Sequence, residues 1–210
     1  RDRQMVHLSF VFYTLNIALY TASSLGYAGY YWLNISGLQP YLEMLSLVLL
    51  CIGALQFSRK LFDLKSTRKN LDNIARLFVI VGTFFAVASI MIPQQLAIEL
   101  IAITVLSSVP LNCYITAARA LDGSAPARWM LFPCLLFVVL GGITAQNVFG
   151  ILTFGNDTLW LLLFALFVNA CAGHVALSIH RNKARKTLEE QRQKQAIAVA
   201  ERQSKTEFLA

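Results

Sequence analysis

Four ionisable side chains sit inside long apolar runs, where a charge is expensive and a functional role is the default reading: Glu43, Glu99, His7 and His174. Glu43 falls near the outer end of its run, and Glu99 lies about two turns in from the outer end of another. Together they suit a proton- or ligand-responsive pair facing the periplasm. The plainer alternative gives Glu43 interfacial solvation and Glu99 an interhelical hydrogen bond, with Gln146 or Asn147 as the partner. His7 and His174 lie toward the inner side of the first and last runs. Adjacent packing of those runs would bring together two imidazoles, which titrate in the physiological range. Simple polar packing is the alternative. Asn16, Asn112 and Asn169 read as interhelical hydrogen-bonding groups.

Other chemistry finds no support. The two histidines have no carboxylate or cysteine at ligand spacing, so no metal site is expected. Cys51, Cys113, Cys134 and Cys171 form no Cys-x-x-Cys pair and read as small buried hydrophobes. There is no phosphate-binding loop, and neither a catalytic residue nor a cofactor is expected within these residues. A retinal protein needs a lysine inside a span, and the apolar runs contain none. A small transporter would show paired broken helices or a repeat, and neither is visible.

The elements that carry these residues follow from composition. Of 210 residues, 57% are hydrophobic and 14% charged, against about 45–50% and about 25% in soluble domains. The excess falls in six runs, at about 6–24, 41–57, 77–92, 96–118, 129–152 and 158–179, each near the length that crosses a hydrocarbon core of ~30 Å. A lipid-exposed backbone must satisfy its own polar groups, so each run is expected to be helical. The fold class is all-α: a polytopic transmembrane bundle over 1–180, followed by a cytoplasmic coiled-coil-like linker over 181–210. The soluble enzyme and the disulfide scaffold are both excluded.

Charge sets the orientation. Of the 18 Lys and Arg, two precede the first run, six lie between the second and third, two between the fourth and fifth, and eight follow the last. None lies in the other three connections. Basic loops stay cytoplasmic, so both ends are expected on the inner side of the membrane. The net charge of +7 is then a matter of topology, and no nucleic-acid partner is implied. Tyr30, Tyr31, Trp32 and Trp160 fall outside, as aromatic anchors at headgroup level; outward ligand binding by the Tyr30–Trp32 group is the bolder reading.

After His180 the composition turns polar, with no Pro or Gly to break a helix. Opposite charges stand four apart at Arg185/Glu189, Lys186/Glu190 and Glu201/Lys205. A half-apolar seam runs through Ala184, Leu188, Gln191, Gln195, Ala198, Arg202, Lys205 and Leu209, which suits a homodimer. The alternative is a solvated helix touching anionic lipid. As a rigid continuation of the last span, the stretch would relay displacement through Leu188, Ala198, Phe208 and Leu209.

Two resemblances sharpen this reading. Lys205, Thr206, Phe208, Leu209 and Ala210 resemble the K-[ST]-x-F-L-A run at the entry to the phosphoacceptor domain of bacterial histidine kinases. Residues 1–180 resemble the seven-transmembrane receptors with diverse intracellular signalling modules. That likeness lies in Arg1–Asp2–Arg3, in Ser24–Leu25–Gly26, and in Phe57–Ser58–Arg59–Lys60–Leu61–Phe62–Asp63–Leu64 followed by Leu71–Asp72. Together they imply a two-component sensor histidine kinase cut at both ends. A first span and a periplasmic sensory domain would precede Arg1. The phosphoacceptor histidine, the ATP- and Mg-dependent kinase core and the docking of a response regulator would follow Ala210. A diguanylate cyclase or another output module is the alternative within the same class.

Overall fold

A computed structural model of the chain describes residues 2–27, 38–88, 91–148 and 157–209. It is helical throughout, with no strand among the described residues. The helices are α1 (Asp2–Ser24), α2 (Leu38–Leu61), a single turn α3 (Leu64–Thr67), α4 (Lys69–Ala88), α5 (Gln94–Leu121), α6 (Ala125–Val148) and α7 (Asp157–Leu209). The six long helices form a ring in chain order, α1 against α2, α2 against α4, α4 against α5, α5 against α6, and α6 against α7. Contact of α7 with α1 closes the ring, and α2 also packs on α5.

The packing is that of a body whose solvent is lipid. Leu8, Val11 and Leu15 of α1, Leu77, Ile80 and Phe84 of α4, and Phe132, Leu135 and Val139 of α6 face outward at helical spacing. Asn16, Ser23, Ser46, Thr104, Ser108, Thr116 and Asn169 are turned inside. Exposed apolar stripes cost nothing in hydrocarbon, whereas an unsatisfied polar group there costs several kcal/mol. Serine and threonine hydroxyls lower that cost within their own helices: Thr116 Oγ1 donates to the Asn112 carbonyl at 2.8 Å and Thr104 Oγ1 to the Leu100 carbonyl at 2.8 Å.

Of the six apolar runs, five lie in helices long and apolar enough to cross a membrane: α1, α2, α4, α5 and α7. The run in α6 is apolar over Ala125–Leu140, and its helix continues to Val148 through residues whose side chains fall outside the described set. The chain is a multi-pass membrane protein. Pro110 and Pro133 lie within α5 and α6, and both helices run on past them.

The helices reach further toward the charged end than the apolar runs do. The basic stretch 58–70 reads as a connection, yet α2 continues to Leu61 and α4 begins at Lys69, so only a short corner remains. That corner turns on Asp63, whose left-handed backbone (φ 47°) is a conformation Asp tolerates better than most residues. The Asp63 carbonyl accepts from Thr67 Oγ1 at 2.8 Å, while Phe62 and Leu64 plug into the bundle. At the α5–α6 turn, Gly123 (φ 83°) ends the helix. Its N–H donates to the Ala120 carbonyl and the Ser124 N–H to that of Arg119, the pair of bonds that closes a Schellman cap.

Candidate functional site

The centre of the bundle is organised on α2. The Phe57 ring stacks on Tyr13 of α1 (centroids 5.9 Å apart) and tilts against Phe10 (5.1 Å). Small residues admit this close packing. A Cβ on Gly53 would lie 3.2 Å from the Tyr13 Cα, and one on Gly173 of α7 would lie 3.1 Å from the Phe10 ring and 3.4 Å from Phe57. Through Phe57, α2 therefore touches α1 and α7 at one level.

Beside this aromatic cluster is a cavity of about 30 Å³, lined by Tyr13, Cys51, Ser108, Asn112, Cys134 and Asn169 among others. It is large enough to admit a water molecule. The Oδ1 atoms of Asn112 and Asn169 are buried and make no hydrogen bond among the described residues. Asn16 bonds back to its own helix, Nδ2 to the Phe12 carbonyl at 2.7 Å. Among the described residues, Asn112 and Asn169 thus flank a small interior space on α5 and α7, Asn16 bonds locally, and none of the three pairs directly across helices.

Glu43 and Glu99 occupy different surroundings. Glu43 is half-buried and accepts a hydrogen bond from Ser24 Oγ at 3.1 Å, which ties α2 to the C-terminal end of α1. Glu99 is exposed on α5, with no hydrogen bond or ion pair among the described residues. The side chains of Gln146 and Asn147 lie outside the described set, as do Tyr30, Tyr31 and Trp32. Trp160 is exposed at the start of α7.

His7 and His174 do share the α1–α7 interface, though with different neighbours. His174 is exposed, with its ring 6.1 Å from Phe10. His7 lines a second cavity, of about 200 Å³, with His180, Arg181 and Arg185. No cluster of three or more metal-ligating side chains forms among the described residues.

The charged end carries an ion-pair system that charge counting alone misses. Arg59 Nε donates to Asp72 Oδ1 at 2.9 Å, with both side chains under a tenth exposed, and Arg59 Nη1 donates to Gln56 Oε1 at 2.8 Å. Arg68 grips Asp122 with two bonds, Nε to Oδ2 at 2.9 Å and Nη2 to Oδ1 at 2.7 Å, so the α3–α4 corner is tied to the α5–α6 turn. Arg119 adds a third bond to the same carboxylate. The Arg68 guanidinium, assisted by Arg119, holds the Asp122 carboxyl below the usual carboxylate range. The spacing Arg59 to Asp72, thirteen residues apart across a helical corner, offers no periodic signal; it shows only once the corner is built.

From the bundle α7 runs on without interruption to Leu209. Its inward face is buried at Leu166, Asn169 and Leu177, half-buried at His180 and Ala184, and exposed from Arg185 to Val199. Leu188 and Ala198 lie on that exposed length, while Phe208 and Leu209 continue the helix with side chains outside the described set. A structure able to move as one piece thus begins among the buried amides and ends far outside the bundle.

Neither the curated proteins nor the solved structures include a match to this chain. A family model described as 7TM diverse intracellular signalling matches residues 1–179, the whole of the helical bundle. The chain, a helical bundle with a projecting last helix, belongs to the 7TM diverse intracellular signalling family.

Proposed function

We propose that this membrane signalling module belongs to a two-component sensor histidine kinase and drives its autokinase through α7. The observation that carries the reading is the continuity of α7, one helix of 53 residues that is buried among the aromatic and amide groups at one end and free at the other. A stimulus at the periplasmic side, or within the membrane, repacks the bundle around Phe57 and the Asn112–Asn169 space. Because α7 has no break, a tilt, rotation or slide at Asn169 or Gly173 reaches Lys205 undiminished.

The Lys205–Ala210 run supports a kinase as the receiver, since it resembles the entry to a phosphoacceptor domain. In this reading the seam through Leu188 and Ala198 pairs two copies of α7, and both ends of the bundle's charged face lie in the cytoplasm of a bacterial inner membrane. The kinase core that follows binds ATP and Mg and passes phosphate from its histidine to a response regulator. The 1–180 segment receives the stimulus, 181–210 transmits it, and no residue of either transfers phosphate.

The test is a fusion of the chain, after Ala210, to a histidine-kinase core, assayed in membranes for autophosphorylation. Alanines inserted one at a time after Val199 rotate the core about the helix by about 100° each. Output that falls and returns with the helical period supports the relay. Output indifferent to the number inserted overturns it.

A further inference from the structure

The cavity at the root of α7 is chemically unlike the rest of the bundle. Its walls carry His7 from α1 and His180, Arg181 and Arg185 from α7, and its floor is apolar, formed by Val6 and Leu177. Among the described residues no acidic side chain lines it. Among the described residues the ion pairs of the charged end involve Arg59, Arg68 and Arg119, and neither Arg181 nor Arg185 takes part in one. Two guanidiniums one helical turn apart thus stand beside a second helix with an imidazole on it, without an ion pair among the described residues.

Position adds the second constraint. Leu177 is buried in the bundle core and every described side chain from Arg185 onward is exposed, so the cavity sits where α7 leaves the bundle. With the apolar part of α7 spanning the bilayer, that exit falls at the level expected of the lipid headgroups. Its volume of about 200 Å³ is several times the share of one water, ~30 Å³. Guanidinium forks suit phosphate oxygens, which accept two parallel N–H bonds, and an apolar floor beside them suits the first carbons of a glycerol backbone.

We propose that this cavity binds a phosphate group, supplied by the headgroup of an anionic phospholipid, and that the bound lipid bridges α1 to α7. A basic pocket between membrane helices is a recognised form of lipid site. Here the site would set how firmly the last helix is held at its exit. The inference is independent of the output module and of the kinase reading, because it concerns only the bundle and the bilayer.

The experiment uses the full chain in nanodiscs of phosphatidylglycerol and phosphatidylcholine, with co-purified lipid counted by native mass spectrometry after release. Arg181→Gln/Arg185→Gln is expected to lower retention of phosphatidylglycerol roughly ten- to thirtyfold. Lys183→Gln/Lys186→Gln removes the same charge from the same helix outside the cavity and is expected to leave retention unchanged. Ala184→Phe fills the cavity with every charge kept, and is expected to expel the lipid while the melting temperature in detergent shows a folded bundle. Equal loss in the two charge variants, or no preference for the anionic lipid, overturns the proposal. Displacement of the lipid by millimolar inorganic phosphate reassigns the site to a soluble anion and overturns the lipid source.

Discussion

Arg59 and Asp72 form an ion pair at 2.9 Å that joins the C-terminal end of α2 to the first turn of α4, with both side chains nearly removed from solvent. Residues that lie on either side of the α3 corner are thereby fixed face to face. The nearby Phe57 belongs to the hydrophobic core of the bundle.

Removing one partner of this pair strands a charge. Asp72→Asn or Arg59→Gln is expected to destabilise the bundle by about 3–5 kcal/mol, whereas a double replacement by apolar residues of similar size recovers much of the loss. Thermal unfolding in detergent of the two single variants and the double variant checks this. Additive losses would show that the two side chains do not act as a pair.

The Arg68–Asp122 contact has a pH signature. The Asp122 carboxyl is held below its ordinary value near 3.8, so its contribution is present above that value and disappears as pH falls through the lower, folded one. Wild type and Asp122→Asn should therefore differ in melting temperature at neutral pH and converge once the pH has fallen below the folded-state value. The gap should also narrow with salt, since the pair is exposed. A difference that persists in acid would assign it to the turn and not to the charge.

Gly53 and Gly173 are both tight, but against different atoms. The nearest obstacle to a Cβ at Gly53 is the Tyr13 backbone, while at Gly173 it is the Phe10 ring, which can turn aside. Gly53→Ala should cost more than Gly173→Ala, within the range of about 1–3 kcal/mol for overpacking. Melting temperatures of the two variants order them directly.

Asn169 carries a buried amide oxygen without a partner among the described residues. Its replacement by Leu, which branches at the same carbon with as many heavy atoms and can fill the adjoining cavity, should leave stability unchanged or raise it, while Ala should lower it by enlarging the cavity. If the amide is held for signalling, Asn169→Leu in the kinase fusion should alter output without loss of protein. Unfolding curves and autophosphorylation measured on the same preparation separate the two effects.

Orientation gives a final check. A Lys194→Cys variant should react with a membrane-impermeant maleimide only after cells are opened. Reaction in intact cells would reverse the assignment of the charged end to the cytoplasm.

The spans were legible because continuous apolar runs of membrane length admit little but helices, and the family match to residues 1–179 agrees with the resemblance drawn from the Phe57–Leu64 stretch. The unbroken path into the polar tail was legible too, from the lack of Pro or Gly after His180. What was hidden lies in the basic stretch 58–70. Counting its charges as a loop overlooks that Arg59 is an inward-facing helical residue, because its long stem and its carboxylate partner let it stay within the packed end of α2. Likewise, nothing in the spacing of His7 and His174 reveals that His7 would line a cavity with His180 and Arg181. Which face of α7 meets α1 at its exit is decided by packing around Gly173.

Asymmetry between the two ends of α7 sets a mechanical advantage. Beyond Ala184 the helix extends roughly 37 Å, so a pivot of about 10° at its root sweeps the far end through roughly 6 Å. A rotation about the axis is conveyed without gain. A lever of this shape favours inputs that swing the helix over inputs that spin it, and small rearrangements among the buried rings become displacements comparable to one helical turn.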